Sequence, residues 1–224
     1  MEINKSIIIP CKDEKENINN VLHGIFKSLK DDTEIIIVVD DESDSTIKNL
    51  PNNIQNLRTL INKYGPGPAE AIRYGIDNSA GNSVCVFMGD GSDDPDQIEE
   101  LFSLIERGVS VAVATRYSRG GQYVGNSTLK YLLSRVSGLI LYYLFFIKTK
   151  DPTNMFKAYS KSFLDSVEIE SQNGFTLGLE MIVKAKLRKK ELQKYLQFGL
   201  IEIMEKVSFQ FQNFYQVIYI GFLD

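Results

Sequence analysis

Short runs of β-branched and aliphatic residues alternate along this chain with segments whose apolar side chains recur at helical spacing. The runs lie at residues 7–9, 34–39, 57–61, 83–88 and 109–114. Such uniformly apolar runs are typical of strands buried on both faces, and the segments between them predict amphipathic helices at residues 17–30, 69–76 and 98–105. This alternation predicts an α/β fold, a mostly parallel, Rossmann-like sheet with helices on both faces.

Acidic or polar clusters stand where three of these strands end: Lys12-Asp13-Glu14, Asp40-Asp41 and the segment from Asp90 to Asp94. In an open parallel sheet, ligands bind beyond the carboxyl ends of the strands. Carboxylate oxygens there suit a hard divalent cation, Mg²⁺ or Mn²⁺, which would in turn hold phosphates. The alternative is that these acids only cap the helices that follow. Three clusters at one edge favour a binding site.

The composition excludes several classes of function. With 25 Lys+Arg against 29 Asp+Glu, the net charge is −4, so the basic surface that non-specific nucleic-acid binding needs is missing. A single histidine, His23, excludes a His-rich zinc site. Cys11 and Cys85 are too few for a disulfide framework, and the opening residues contain no signal-peptide core, so a cytoplasmic location is expected.

The longest apolar stretch covers residues 136–147 and is flanked by Lys130, Arg135 and Lys148. It is well short of the roughly 20 residues that cross a bilayer. Its flanking cations and tyrosines suit a helix that lies at a membrane surface, which would make the protein peripheral. They suit a buried core helix equally well, so both interpretations stand.

Five segments carry motifs in a shared order. Residues 8–18 look like IPxxNExENI, residues 39–46 are similar to VDDGSxDxT, and residues 62–75 resemble N.G.G.A...G. Residues 115–117 match SRY, and residues 151–159 match DxTxxFRAY. In this order and spacing, residues 5–190 resemble the family 2 glycosyltransferases with the GT-A fold, especially the polyprenyl-phosphate branch that includes dolichol-phosphate mannose synthases.

The resemblance implies a role for each matching position. The residues that would hold the base and ribose of a nucleotide-sugar are Pro10, Asp13, Glu14, Asp40 and Asp41. The residues that would face its phosphates are Arg116, Lys130 and Ser134, the last two being four apart on one helix face.

The metal-binding DxD region departs from the family's form. The family usually reads Met-Asp-x-Asp, whereas Gly89 follows Met88 here, so Asp90 and Asp93 are the expected metal ligands and Asp94 is next. Lys12-Asp13 likewise replaces a common Tyr-Asn pair, a change that would loosen stacking on the base.

The implied reaction moves a sugar, with inversion, from a nucleoside-diphosphate-sugar to an acceptor, expected to be a polyprenyl phosphate at the cytoplasmic membrane face. A phosphate acceptor is already an anion and needs no strong base, whereas a glycan hydroxyl would need a carboxylate, Asp93 or Asp94. The alternative is a catalytically impaired member of the fold that still binds a nucleotide-sugar. An oxidoreductase is disfavoured because no G-x-G-x-x-G turn follows the first strand.

The motifs stop near residue 190, so we expect a GT-A domain over residues 1–190 and an atypical tail over residues 191–224. The family continues with a strand and an RxxGxSK segment, but here no charge occurs between Lys206 and Asp224. The tail is interpreted as a genuine terminal strand or membrane contact, or as the product of a frameshift in the Lys189-Lys190 codons. The second interpretation is favoured because the alternative frame over residues 199–208 can read Thr-Asp-Arg-Asn-His-Gly-Lys-Ser-Gln-Phe, which restores RxxGxS.

Overall fold

The structure, a computed structural model, describes residues 2–29, 32–51, 54–116, 136, 138, 139, 142, 143, 149 and 151–188, and the backbone of residues 200–202. Its strands are β1 (Lys5–Pro10), β2 (Thr33–Val39), β3 (Leu57–Ile61), β4 (Ser83–Val86), β5 (Val111–Thr115), β6 (Lys157–Ser160) and β7 (Leu200–Glu202). Its helices are α1 (Ile18–Ser28), α2 (Pro68–Asp77), α3 (Ile98–Glu106), α4 (Lys161–Leu164) and α5 (Gly174–Leu187). All five predicted strands and all three predicted helices are therefore confirmed.

The strands form one mixed sheet in the order β3-β2-β1-β4-β6-β5-β7. The pairs β3-β2, β2-β1 and β1-β4 are parallel, whereas β6 runs antiparallel to both β4 and β5. The sequence did not predict β6, which inserts between β4 and β5, because its four residues form too short a run to show a period. The predicted α/β sheet, mostly parallel, is confirmed.

Helices cover both faces of the sheet, because successive side chains along a buried strand point to opposite faces and both faces must be covered. Along β1, Ile8 faces α2, where it lies against Gly75, while Lys5 faces the other way and its ammonium lies 5.3 Å from the ring centroid of Phe102 in α3. Ile7, Ile8 and Ile9 are all fully buried. The apolar stripe of α1 is buried as well, as its spacing predicts.

At the edge where β1 begins, the buried charged side chains of Lys5 and Glu34 are paired. The ammonium of Lys5 lies 3.1 Å from Glu99 and 3.4 Å from Glu106. The carboxylate of Glu34 accepts hydrogen bonds from the Ser6 hydroxyl at 2.6 Å and from the Ala80 amide at 2.7 Å. These contacts offset the cost of burying charge. The loops that follow the strands lie at the opposite edge of the sheet.

The apolar stretch at residues 136–147 is described in part. Its described residues are helical, and among them Val136 is 44% exposed and Tyr143 is 66% exposed. Within the described part of the chain, no helix has the length and apolar character needed to cross a bilayer.

Gly75 gives a test of the packing between α2 and the sheet. A Cβ at this position would lie 2.4 Å from Ile8 Cγ2 and 3.1 Å from Val38 Cγ2. We expect Gly75→Ala to lower the free energy of unfolding by about 1–2 kcal/mol, because overpacking outweighs the gain in helix propensity. Urea denaturation measures this, with Asn20→Ala at an exposed position of α1 as the control, where a change within about 0.5 kcal/mol is expected. A stabilised Gly75→Ala protein would contradict this packing.

Candidate functional site

The loops that follow β2, β1 and β4 meet at one edge, because these strands are neighbours in the sheet and run in the same direction. The buried Cys11 lies among them: burial raises the pKa of its thiol most, and carboxylates from all three loops, namely Glu14, Asp44 and Asp90, raise it further. The loops also contact one another directly, since the Asp13 amide donates to Asp44 and Gly89 packs against Cys11, so the acidic clusters at the strand ends lie at one edge, as the sequence predicts.

Asp44 joins the loop after β2 to the loop after β1. Both of its carboxylate oxygens accept from the Asp13 amide at 3.2 Å, and Oδ1 also accepts from the Thr46 amide at 2.8 Å. The Thr46 hydroxyl accepts from the Glu14 amide at 3.0 Å, and the Ser45 hydroxyl donates to Asp13 Oδ1 at 3.0 Å. This set of hydrogen bonds fixes the position of Asp13.

The backbone of Asp13 adopts a left-handed conformation, with φ of 56°. Side chains other than glycine occupy this region infrequently, and Asp and Asn tolerate it best. The hydrogen bonds that its amide donates to Asp44 hold the residue there. Asp13 is exposed at the strand tip, so the strained backbone presents a carboxylate at the shared edge.

The two acids after β2 differ in what they contact. Asp40 is half-buried and binds the loop after β3: its carboxylate accepts from Gly67 N at 3.1 Å and from Asn62 Nδ2 at 3.2 Å. Gly67 has φ of 120°, which requires glycine at this position. Asp41 is exposed, and hydrogen bonds from the hydroxyl and amide of Ser43 lower its pKa. Asp40 therefore shapes the edge, while Asp41 keeps an ionised carboxylate on its surface.

The acids after β4 take three different environments. Asp90 is exposed, and its Oδ1 accepts from the Ser92 amide at 2.9 Å. Asp93 turns inward and accepts from the Met88 amide at 3.1 Å. Asp94 caps the 3₁₀ turn Pro95–Gln97, accepting from the Asp96 amide at 3.1 Å, so the capping interpretation holds for this residue.

Gly89 packs closely against the end of β1 and the residue after it. A Cβ at this position would lie 2.7 Å from Cys11 Sγ and 3.2 Å from the carbonyl oxygen of Pro10. A larger residue at position 89 would therefore require the Cys11 thiol or the neighbouring backbone to shift.

Arg116 lies at the end of β5 and forms a two-pronged ion pair with Asp151. Its Nε and Nη2 donate to the two Asp151 oxygens at 2.8 and 2.7 Å, and its amide also donates to Asp151 at 2.9 Å. Asp151 is fully buried, whereas the Arg116 side chain stays 29% exposed. Such a bidentate pair orients the guanidinium strongly.

Four charged groups influence one another beneath this edge: Asp93, Arg116, Asp151 and the fully buried Lys157. Desolvation raises the pKa of Asp93 to about 7, with Asp90 and Asp151 adding to the increase and the Met88 amide and Arg116 opposing it. Desolvation lowers the pKa of Lys157 to about 7, with Arg116 acting in the same direction and Asp151 and Asp93 opposing it. Buried, mutually perturbed groups of this kind are typical of functional sites.

A model of the family described as "Glycosyl transferase family 2" matches residues 6–167. The chain belongs to this family. The match covers every strand and loop that builds the edge described above.

Several relatives are similar to the chain. It is 26% identical to a dolichol-phosphate mannosyltransferase of Pyrococcus furiosus over 191 residues, which is 82% of this chain and 53% of that protein. It is 23% identical to a polyprenol monophosphomannose synthase of Mycolicibacterium smegmatis over 189 residues, 80% of this chain and 71% of that protein. The chain thus spans about half the length of the Pyrococcus protein.

Solved structures share the fold. Glucosyl-3-phosphoglycerate synthase from Mycobacterium tuberculosis, in complex with UDP, superposes with a TM-score of 0.63 at 16% identity, over 83% of this chain and 66% of that one. TarS from S. aureus superposes with a TM-score of 0.56 at 18% identity, over 80% of this chain and 55% of that one. The predicted GT-A architecture is confirmed.

Within this family member, the structure brings most of the predicted site residues to one edge: Pro10, Asp13, Glu14, Asp40, Asp41, Asp90, Asp93 and Arg116. Lys130 and Ser134 lie outside the described residues. Sequence reasoning missed Asp44, Asp151 and Lys157. Asp44 and Asp151 stand inside quoted motifs, but their partners are 31 and 35 residues away, and no local pattern links such positions.

Asp44 provides a test of how the two loops are joined. We expect Asp44→Ala to lower the free energy of unfolding by about 2–3 kcal/mol, because backbone amides lose a charged, buried acceptor. Asp44→Asn keeps one acceptor oxygen, so its loss is expected to be smaller. Urea denaturation measures both, and hydrogen exchange of the Asp13 amide reports the local effect.

Glu42→Ala is the matched control, because this acid lies in the same turn and is exposed. Its effect on stability is expected to stay within about 0.5 kcal/mol. Unchanged protection of the Asp13 amide in Asp44→Ala would show that Asp44 does not hold the loop.

Proposed function

We propose that this chain transfers a sugar from a nucleoside-diphosphate-sugar to a polyprenyl phosphate. The proposal depends chiefly on one observation, the convergence of carboxylates from three neighbouring strand ends beside the guanidinium of Arg116. A nucleotide-sugar needs both kinds of group. Carboxylates bind its hydroxyl groups and a divalent cation, and a positively charged side chain binds its diphosphate. The neighbouring UDP complex of the same fold supports the donor class.

The donor's nucleoside is assigned to the loops after β1 and β2. Asp13 and Asp41 carry exposed carboxylates there, which can accept hydrogen bonds from ribose hydroxyls and from a base. Pro10, Glu14 and Asp40 complete the set, with Asp40 acting on the shape of the loop after β3. The rigid positions given by Asp44 reduce the entropy lost on binding.

The residues of this edge fit a divalent cation. Asp90 and Asp93 would hold it through hard carboxylate oxygens, which Mg²⁺ and Mn²⁺ prefer. Among the described residues, no group of three or more His, Cys, Asp or Glu side chains is arranged to hold a metal by itself. Mg²⁺ in phosphate-binding sites commonly takes one or two protein carboxylates and completes its shell with phosphates and water, so two acids suffice. A structural neighbour was crystallised with Mn²⁺ and UDP.

The transfer would proceed as a single displacement that inverts the anomeric carbon. An oxygen of the acceptor phosphate forms the new bond to this carbon, while the bond to the donor diphosphate breaks and the nucleoside diphosphate leaves with the electron pair. Asp90 and Asp93 would hold a divalent cation, which would supply positive charge to the diphosphate. Arg116 is positioned by Asp151 to do the same, and Lys130 and Ser134 are assigned to the phosphates by the family resemblance.

A polyprenyl phosphate acceptor is supported by two features. Relatives similar to the chain are named as a dolichol-phosphate mannosyltransferase and a polyprenol monophosphomannose synthase. In addition, Val136 and Tyr143, seven residues apart in the helical stretch, expose apolar surface that can meet a bilayer. The chain would then act at the cytoplasmic membrane face as a peripheral protein.

The second candidate is a nucleotide-sugar-binding protein with impaired catalysis. Gly89 favours it, because the position of the family's first acid carries no ligand. We further propose that residues 1–190 form the catalytic domain and that residues 191–224 arise from a frameshift. The nucleotide sequence of codons 186–224 tests that origin, and codons incompatible with the alternative reading would contradict it.

Asp90 tests the donor site. We expect Asp90→Asn to weaken Mn²⁺-dependent binding of UDP or GDP by about tenfold or more, since removing one charged contact costs on the order of 2 kcal/mol. Isothermal titration calorimetry with and without Mn²⁺ measures the effect. Asp96→Asn is the control, because Asp96 is exposed in the next turn. Equal binding by wild type and Asp90→Asn would place the cation elsewhere.

A transfer assay separates the two candidates. Wild-type protein is incubated with Mn²⁺, a panel of nucleoside-diphosphate-sugars and a short-chain polyprenyl phosphate, and the release of nucleoside diphosphate is compared with its release in the absence of the acceptor. Acceptor-dependent release is expected from a transferase. Tight nucleotide binding without acceptor-dependent release would instead support the impaired binding protein.

A further inference from the structure

A fully buried lysine lies under the proposed donor site. Lys157 is the first residue of β6, and its backbone pairs with Val86 at the end of β4 on one side and with Val113 of β5 on the other. The chain segments that continue from these two strands carry Asp90, Asp93 and Arg116. The inserted strand therefore places a cationic side chain between the two halves of the site.

The ammonium of Lys157 has a hydrogen-bond acceptor on one side and a glycine that leaves room for it on the other. Nζ donates to the carbonyl oxygen of Pro152 at 3.2 Å. On the other side, α5 provides room through Gly178, where a Cβ would lie 3.1 Å from Nζ, 3.0 Å from Met155 Sδ and 3.1 Å from the carbonyl oxygen of Thr153. The side chain is held between the segment before β6 and this helix.

The charges around Lys157 are balanced. Asp151 and Asp93 interact with it favourably, and Arg116 interacts with it unfavourably. Two carboxylates and two cations therefore lie close together, with Asp151 and Lys157 fully buried and Asp93 and Arg116 partly exposed. Removing one partner from such a set leaves an uncompensated charge, which strongly perturbs the remaining groups.

We propose that Lys157 is a positioning residue for the donor diphosphate. Its buried ammonium offsets Asp93 and Asp151, so that Arg116 and the loop carrying Asp90 keep the arrangement that receives the phosphates. Lys157 touches neither substrate nor cation and acts through these neighbours. This role rests on the proposed function. It makes part of the affinity for the donor depend on a residue beneath the proposed donor site.

The chain contains a matched control. Lys5 is also buried, at 2% exposure, and is also paired with carboxylates, Glu99 and Glu106. It lies at the opposite edge of the sheet, where β1 begins. A purely structural role for a buried lysine predicts similar consequences for both residues, whereas a positioning role predicts a donor-binding defect for Lys157 only.

The experiment compares Lys157→Met, Lys157→Arg and Lys5→Met with wild type in the full chain. Titration calorimetry with UDP and with GDP, each with Mn²⁺, measures donor binding, and thermal denaturation measures folding. We expect Lys157→Met to weaken nucleotide binding by about tenfold, since a displaced charged contact has this size of effect. Lys157→Arg keeps a cation at a position where the motif DxTxxFRAY carries Arg, and it is expected to bind within about threefold of wild type.

Lys5→Met is expected to lower the melting temperature while nucleotide affinity stays at the wild-type value. Where transfer activity is measurable, Lys157→Met raises the donor KM more than it lowers kcat. Equal affinity in folded Lys157→Met and wild type would overturn the proposal, and so would an equal loss of affinity in Lys5→Met. Wild-type protein that binds neither nucleotide would contradict the proposed function itself, and this role would fall with it.

Gly178→Ala is the second variant if Lys157→Met does not fold. The added methyl group presses on Nζ from α5 while the charge is retained. We expect nucleotide affinity to fall by about threefold, an intermediate effect, because the ammonium is displaced and not removed. Unchanged affinity in folded Gly178→Ala would overturn the proposal.

Discussion

The site depends on hydrogen bonds that backbone amides at the strand ends donate to carboxylates. The loops that follow parallel strands lie at one edge of the sheet, but a loop without regular structure has no backbone hydrogen bonds to a neighbouring strand that would hold it in place. Here Asp44 binds the Asp13 amide, Asp40 binds the Gly67 amide and Asp93 binds the Met88 amide. Each bond joins or closes a loop at the edge, so Asp44 and Asp40 position the loops that carry the exposed acids, and Asp93 positions its own loop as well as being assigned to the cation.

This arrangement limits the electrostatic cost of placing so many acids at one edge. The positioning acids are half-buried or buried and have amide donors, which offset the cost of removing them from water. The presenting acids, Asp13, Asp41 and Asp90, are exposed, where water screens their repulsion. A bound cation and the cationic groups at the end of β5 would further reduce that repulsion on donor binding.

The insertion of β6 gives the site its second half. This antiparallel strand separates β4 from β5 and brings residues 151–157 against the end of β5, where Asp151 holds Arg116 from below. Asn154 Nδ2 donates to the Ala114 carbonyl at 2.8 Å and fixes the same segment. The acidic half comes from the loops after β1, β2 and β4, which are neighbours in the sheet, whereas the cationic half needs a segment that returns from far along the sequence.

Apolar periodicity and strand-end position are local properties, so the sequence alone predicts the order of strands and helices, the edge expected to bind ligands and the exposed acids there. The family motifs added Arg116 and the segment containing Asp151. The contacts of Asp44 with Asp13 and of Asp151 with Arg116, and the position of Lys157 beneath both halves of the proposed site, follow only from the folded chain. The first two contacts join residues more than 30 positions apart, and those of Asp151 and Lys157 depend on where β6 enters the sheet, which its four residues do not encode locally.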